Sequence, residues 1–166
     1  MDAGRGSERA MKNPTKAERK SEREIVVTRT FDAPVHLVFE AWTKPELFRK
    51  WWAPKSMGAT LLSCEMDVRT GGGYRLEFGH PQAPAPFAFF GKYLEVTPPS
   101  KLVWTNAESE NGAVTTVTFA EKSGKTLLVL SELYPTKEAL EAERGAEEGL
   151  PEQFAQLDEL LASLAG

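Results

Sequence analysis

Three side chains of this sequence are candidates for metal binding or nucleophilic chemistry: the single cysteine, Cys64, and the only two histidines, His36 and His80. Zinc sites draw their ligands from cysteine and histidine at short, regular spacings, and these three residues show no such spacing. A nucleophile–histidine–acid arrangement would need one histidine to meet Cys64 or a serine in the folded chain, and no local motif indicates this. We therefore expect no bound metal and no cofactor.

A run of three glycines at residues 71–73 is the only segment that suggests phosphate binding. It lacks the lysine and the following serine or threonine of a phosphate loop. Glycines also allow a chain to turn between strands with positive φ, which is the simpler interpretation. We expect a turn at this position rather than a nucleotide site.

The charge and composition argue against several other classes of protein. The net charge of −4 argues against the extended basic surface that a nucleic-acid-binding protein needs. A single cysteine forms no internal disulfide, so we expect a reducing, cytoplasmic location. No apolar run approaches the roughly 18 residues of a membrane helix, and no signal peptide is recognisable, so we expect no membrane insertion.

Aromatic side chains are a more informative set of candidates. They supply either the core of a domain or the walls of a pocket, and plain core packing is the simpler interpretation for any one of them. The set comprises Trp42, Trp51, Trp52, Tyr74, Phe78, Phe87, Phe89, Phe90, Tyr93 and Trp104.

The elements that position these aromatics are mainly strands. Seven segments have the composition of strands and are separated by turn signals rich in glycine, proline and asparagine. Short connections favour antiparallel pairing of successive strands. The predicted strands are 24–31, 57–68, 73–79, 87–97, 101–106, 113–120 and 125–133.

Helices are predicted after the first strand and at the C-terminus. Pro34 begins a short helix, and a second short helix covers 46–52. Residues 136–164 form a longer amphipathic helix with a weak point around Gly145 and Gly149. Its buried stripe is Leu150, Phe154, Leu157, Leu161 and Leu164, opposite Glu152, Gln153, Gln156 and Glu159.

Together these elements predict one α+β domain over residues 24–165. Residues 1–23 are polar and lack apolar periodicity, so they are predicted to be a flexible, dispensable tail. A curved seven-stranded antiparallel sheet needs one face covered, and the C-terminal helix is the only element long enough to cover it. If the sheet curls around that helix and the two short helices close one end, a pocket remains between helix and sheet.

Six motifs occur in consistent order between Arg23 and Leu164. They are Phe31-Asp-Ala-Pro34, Val38-Phe-Glu-Ala-Trp42, Trp51-Trp52 with Pro54, Cys64-Glu-Met-Asp67 with Gly71-Gly-Gly73, Gly91-Lys-Tyr-Leu-Glu95 before Pro98-Pro99, and Leu157-Asp-Glu-Leu-Leu161. This pattern resembles the START-like (SRPBCC) superfamily, in the bacterial branch named for the activator of the heat-shock protein 90 ATPase. The resemblance implies the helix-grip fold. Many relatives carry Gly-Trp where this sequence has Gly149-Leu150, so we expect a differently shaped cavity there.

Glu132 and Arg29 are the polar candidates for this pocket. Alternation groups Glu132 with Leu128 and Leu130, but both faces of that strand are apolar and alternation alone leaves its direction open. The resemblance implies the inner face, because relatives often carry His or Glu at that position. Arg29 shares a face with Phe31, so it is also expected to point inward, where a charge needs a partner. A position at the cavity mouth or a purely structural ion pair is the alternative interpretation.

The favoured function is binding of a small hydrophobic or amphipathic molecule, without catalysis, between the sheet and the C-terminal helix. The candidate ligand-binding residues are Trp42, Trp52, Tyr74, Phe89, Tyr93, Trp104, Glu132, Arg29, Leu150 and Phe154. Phe154 is expected to border the pocket and Leu161 to lie in solid core.

Two other functions remain open at this point. One is a polyketide-cyclase-like or hydrolase-like enzyme that uses Glu132, Arg29 or Tyr93 as acid or base. The other is a co-chaperone or regulatory module, which the resemblance implies and which would bind a chaperone through an exposed patch. The sequence also leaves a homodimer open.

Overall fold

The computed structural model describes residues 15–82, 85–107, 112–142 and 149–165. Within these ranges, eight strands form one sheet: β1 (Lys16–Arg19), β2 (Glu24–Phe31), β3 (Thr60–Met66), β4 (Gly73–Gly79), β5 (Phe87–Thr97), β6 (Lys101–Thr105), β7 (Val114–Lys122) and β8 (Lys125–Leu133). The helices are α1 (Val35–Thr43), α2 (Pro45–Phe48), α3 (Lys137–Ala142) and α4 (Leu150–Ala165), with a 3₁₀ turn at Lys55–Met57. The predicted α+β class is confirmed.

The sheet is antiparallel throughout, in the order β1-β2-β8-β7-β6-β5-β4-β3. After β2 the chain crosses to the far edge through α1 and α2, and it then returns strand by strand until β8 pairs with β2. Successive strands from β3 to β8 are therefore neighbours, as their short connections predict. The crossing places α1 and α2 beside the inner face of the sheet.

The eighth strand, β1, lies within the segment that was predicted to be a tail. Arg19 pairs with Ile25 of β2, and its guanidinium donates a hydrogen bond to Glu141 at 2.6 Å. All four side chains of β1 are exposed, so backbone bonds to the edge of β2 hold this strand. The structure thus replaces a tail with an edge strand, because apolar periodicity reports burial and not edge pairing. Residues 1–14 lie outside the described residues.

The inner face of the sheet follows the predicted alternation. On β8, Leu128 and Leu130 are buried whereas Leu127 and Leu133 are exposed. The buried residues of β2 are Ile25, Val27, Arg29 and Phe31. The face that carries Glu132 is therefore the inner one, as the resemblance implied.

Helix α4 packs on this inner face. Phe154 is fully buried and meets Phe31 edge to face, with ring centroids 5.4 Å apart. Phe39 and Phe119 make a similar contact at 5.3 Å. We call this region the filled end, defined by Phe31, Phe39, Phe119, Phe154, Leu157 and Leu161, all of which are buried.

The predicted long C-terminal helix is present as α3 and α4. The weak point predicted around Gly145 lies outside the described residues, and Gly149 directly precedes α4. Pro151 lies in the first turn of α4, where backbone N–H groups have no partner within the helix, so the missing N–H of proline breaks no hydrogen bond there. This position fits the predicted helix restart.

The second short helix ends earlier than predicted, at Phe48 rather than residue 52. The chain then continues in turns, and the indole N–H of Trp51 donates to the carbonyl of Ala41 at 2.9 Å. The ring of Phe48 stacks on that of Trp52 at 4.8 Å. Tryptophan packing, rather than further helical turns, therefore fixes this segment beside the sheet.

Candidate ligand-binding cavity

A cavity of about 530 Å³ lies inside the curved sheet, next to the first turn of α4. Small-molecule sites in proteins span about 300–1,000 Å³ and have mostly apolar walls. Its aromatic lining residues are Trp42, Phe48, Trp52, Tyr74, Phe78, Phe87, Phe89, Tyr93, Trp104 and Tyr134. We call this region the cavity end.

Strands β4 and β5 place their aromatics on the cavity by simple alternation. Phe78 pairs with Phe87, and Leu76 pairs with Phe89, so these four side chains share the inner face. The rings of Phe78 and Phe87 stack at 5.6 Å, and Phe89 meets Phe78 edge-on at 5.5 Å. Phe87 and Phe89 remain 41% and 38% exposed, so they form the mouth of the cavity.

A glycine determines the shape of the opposite part of the cavity wall. Gly91 pairs with Tyr74, and a Cβ atom at Gly91 would come within 2.0 Å of the Thr105 carbonyl oxygen. The missing side chain lets β6 approach, and the Tyr74 hydroxyl donates to that carbonyl at 2.6 Å. Asn106 is fixed as well, because its amide donates to the carbonyl of Ala113 at 2.7 Å.

Tyr93 is a buried tyrosine of the cavity wall. Its ring packs 5.7 Å from that of Tyr74 and 6.5 Å from that of Trp104. Burial raises the pKa of the Tyr93 hydroxyl far above its ordinary value, and the nearby Cys64 raises this pKa further. Tyr93 therefore keeps its proton at neutral pH and is a hydrogen-bond donor, not a base.

Cys64 does not have the properties of a nucleophile. Burial raises the pKa of its thiol, and Arg49 only partly opposes this effect. Its sulfur lies 3.4 Å from that of Met66, which lines the cavity. In the part of the chain that the structure describes, no three His, Cys, Asp or Glu side chains are grouped so as to hold a metal ion.

Two glutamines on α4 bond to the segment after α2 although the sequence placed them on the solvent side. Gln153 lines the cavity and donates to the carbonyl of Trp52. Gln156 donates to the carbonyls of Trp51 and Ala53 at 2.9 and 3.0 Å and accepts a bond from the Lys55 N–H. The segment after α2 covers this side of α4, and the side-chain amides of Gln153 and Gln156 donate hydrogen bonds to its backbone carbonyls. Helical periodicity reports only the apolar stripe, so it missed these residues.

Eight of the ten candidate residues line the cavity. They are Trp42, Trp52, Tyr74, Phe89, Tyr93, Trp104, Glu132 and Leu150. Glu132 accepts a hydrogen bond from the Tyr134 hydroxyl at 3.4 Å. The complete cavity lining comes from five strands and three helices. Because the residues are spread over so many elements, no short sequence motif predicts the site.

Arg29 and Phe154 do not line the cavity. Arg29 points inward, as expected, but it forms an ion pair with Asp158 of α4 and lies 4.8 Å from the centre of the Phe31 ring. Burial raises the pKa of the Asp158 carboxyl, and the Arg29 guanidinium opposes that rise. Phe154 lies on Phe31 at the filled end. Both residues belong to the core because the sheet closes onto α4 one turn beyond Leu150.

The family described as Activator of Hsp90 ATPase homolog 1-like protein matches residues 32–162. The chain belongs to this family. No curated protein matches the sequence. In this member of the Activator of Hsp90 ATPase homolog 1-like family, Gly149 and Leu150 both border the cavity. The leucine at position 150 is therefore part of the cavity wall itself.

Solved structures confirm the helix-grip fold for this family member. A crystal structure from Rhodobacter sphaeroides has a TM-score of 0.82 at 22% identity, over 91% of this chain and 99% of that one. A solution structure from Staphylococcus epidermidis has a TM-score of 0.75 at 29% identity, over 89% and 94% of the two chains. CalU16 from Micromonospora echinospora has a TM-score of 0.62 at 20% identity, over 90% and 75%.

Among the described residues, no helix is both long and apolar enough to cross a membrane. The longest described helix is α4, at 16 residues. On its polar side, Gln156 donates hydrogen bonds to the carbonyls of Trp51 and Ala53, in the segment after α2.

Proposed function

We propose that this protein binds a small hydrophobic or amphipathic molecule in the cavity. The observation that carries this proposal is the contrast inside one sheet: the filled end packs aromatics against one another, whereas the cavity end leaves about 530 Å³ between its aromatics. Interiors are normally packed as densely as organic crystals, so a space of this size is a built feature. START-type folds commonly bind hydrophobic ligands.

The walls indicate which molecules would bind well. Phe78, Phe87 and Phe89 offer ring faces and edges near the mouth, and Trp42 and Trp104 offer them further inside. Burying apolar ligand surface contributes about 25 cal/mol for each Å² removed from water. A flat apolar molecule would gain both this term and ring contacts, which add about 0.5–1.5 kcal/mol for each aromatic pair.

N-phenyl-1-naphthylamine, a neutral apolar probe that fluoresces when it leaves water, tests this function. We expect saturable binding with one site per chain. Ala113 is buried and lines the cavity, so Ala113→Phe should fill the space and weaken probe binding at least about tenfold, the effect of losing about 1.4 kcal/mol.

Val114 supplies the matched control, because it is the adjacent residue and lies exposed, outside the cavity lining. Val114→Phe adds the same ring on the other face of the sheet and should leave probe affinity unchanged. If Ala113→Phe binds the probe as tightly as the unmodified protein does, the probe is not in the cavity and the proposed function is wrong.

A further inference from the structure

The Tyr93 hydroxyl is a donor without a protein acceptor. Tyr93 is only 5% exposed, and none of its hydrogen bonds within the described residues involves the hydroxyl. The effects that shift its pKa are burial and Cys64, with no contribution from a hydrogen bond. The hydroxyl oxygen is not among the fully enclosed polar atoms that lack a partner, and Tyr93 lines the cavity.

The indole N–H of Trp42 also lacks a hydrogen-bond partner, but its nitrogen is fully enclosed and is not accessible from the cavity. Trp42 is 2% exposed and lines the same cavity. Its Nε1 atom is the one fully enclosed side-chain nitrogen or oxygen, within the described part of the chain, that has no hydrogen-bond partner. Buried tryptophan N–H groups usually have an acceptor, and a buried donor without one costs about 1–3 kcal/mol.

The rings of Trp42 and Tyr93 both contact Trp104. The Trp104 centroid is 5.9 Å from that of Trp42 and 6.5 Å from that of Tyr93. The other cavity groups nearby already use their protons: the Tyr74 hydroxyl donates to Thr105, and the Asn106 amide donates to Ala113. The wall beside Trp104 therefore offers one donor, the Tyr93 hydroxyl, that only a bound molecule would satisfy.

We infer that the ligand is an apolar, ring-containing molecule with an acceptor oxygen, of the ketone or quinone class, whose oxygen accepts the proton of the Tyr93 hydroxyl. This inference rests on the proposed function and specifies its ligand class. A hydrocarbon of the same shape would leave the Tyr93 hydroxyl unsatisfied, whereas a carbonyl compound would accept its proton.

Fluorenone and fluorene are suitable probes, because they differ only in a carbonyl group in place of a methylene group. An apolar wall without donors would favour fluorene, since burying an unbonded carbonyl is costly. We expect the unmodified protein to bind fluorenone roughly 3- to 10-fold more tightly than fluorene, the effect of one net hydrogen bond. Both affinities are measured by titration in ¹⁵N–¹H spectra of the full chain.

Tyr93→Phe removes the hydroxyl without removing a protein hydrogen bond, so we expect the variant to fold and the preference for fluorenone to disappear. Tyr74→Phe is the matched control from the same cavity. Its hydroxyl proton is already used, so this variant should change the two affinities alike and keep their ratio.

Equal binding of the two probes to the unmodified protein would overturn the acceptor-oxygen inference and leave apolar-ligand binding intact. A fluorenone preference that survives Tyr93→Phe would overturn the role of Tyr93. Failure of both probes to bind would count against the proposed function as well as the inference.

Discussion

The filled end and the cavity end are built from the same residue types on the same sheet and helix, but they differ in what each ring contacts. At the filled end, Phe154 meets Phe31 and is fully buried. At the cavity end, Leu150, which lies one turn earlier on α4, borders the cavity, as does Gln153. Aromatic content alone therefore does not distinguish a core from a binding site.

The two ends differ in the distance between the sheet and the elements that face it, and a few residues determine this distance. Gly91 brings β6 close to Tyr74, and the tryptophans after α1 hold the far wall. At the filled end, α4 packs directly on β2, and the charged pair Arg29–Asp158 bridges the two elements. One helix thus closes the interior along part of its length and leaves it open at its first turn.

The largest expected effect separates the two ends on that helix. Phe154→Ala should lower the free energy of unfolding by about 3–5 kcal/mol, because the truncation leaves a new void in a closed core. Leu150→Ala borders an existing space, so it should cost less than about 2 kcal/mol. Urea denaturation of both variants measures this. Equal losses would mean that the cavity end is packed as tightly as the filled end.

The position of Phe154 corrects an expectation drawn from the sequence. The stripe on α4 suggested that Phe154 borders the pocket, but its contacts with Phe31 and Trp42 place it in the core. We therefore expect little change in probe affinity for Phe154→Ala once its lower stability is taken into account. A change as large as that of Ala113→Phe would extend the binding site into the filled end.

The second effect concerns the charge inside the filled end. Burial raises the pKa of Asp158 in the folded protein above its ordinary value, so folding favours the protonated carboxyl. Its contribution to stability is present below the unfolded pKa and is lost as the pH rises through the folded pKa. The stability of the unmodified protein minus that of Asp158→Asn should therefore fall with rising pH. A difference that grows with pH would show that Arg29 stabilises the carboxylate more than burial opposes it.

The smallest effect is expected for the edge strand β1, whose four side chains are all exposed. Deleting residues 1–20 removes β1 and the exposed Arg19–Glu141 pair, which contributes less than about 1 kcal/mol. Deleting residues 1–23 also removes Arg23, whose carbonyl accepts the Tyr134 N–H at 2.7 Å.

Tyr134 lines the cavity, so the longer deletion should weaken probe binding whereas the shorter one should not. Thermal unfolding and probe titration of the two truncated chains compare them directly. If both deletions act alike, Arg23 does not position the cavity wall.

The sequence predicted seven of the eight strands and the helix order, and eight of its ten candidate residues line the cavity, because alternation and motif order determine which face a residue occupies. It misplaced Phe154 and Arg29, since a position on the inner face does not reveal whether the opposite wall is near or far. It missed Gln153 because a glutamine opposite an apolar stripe normally faces water. β1 was also missed, because an edge strand held by backbone bonds leaves no pattern of apolar side chains.

The indole N–H signals of the four tryptophans test the central claim most directly. Trp42, Trp52 and Trp104 line the cavity, whereas Trp51 does not and its N–H is bonded to the Ala41 carbonyl. On titration with N-phenyl-1-naphthylamine, we expect the ¹⁵N–¹H signals of the three cavity tryptophans to shift and that of Trp51 to stay. A shift of Trp51 as large as theirs, or no shift of any of them at saturating probe, would contradict the account.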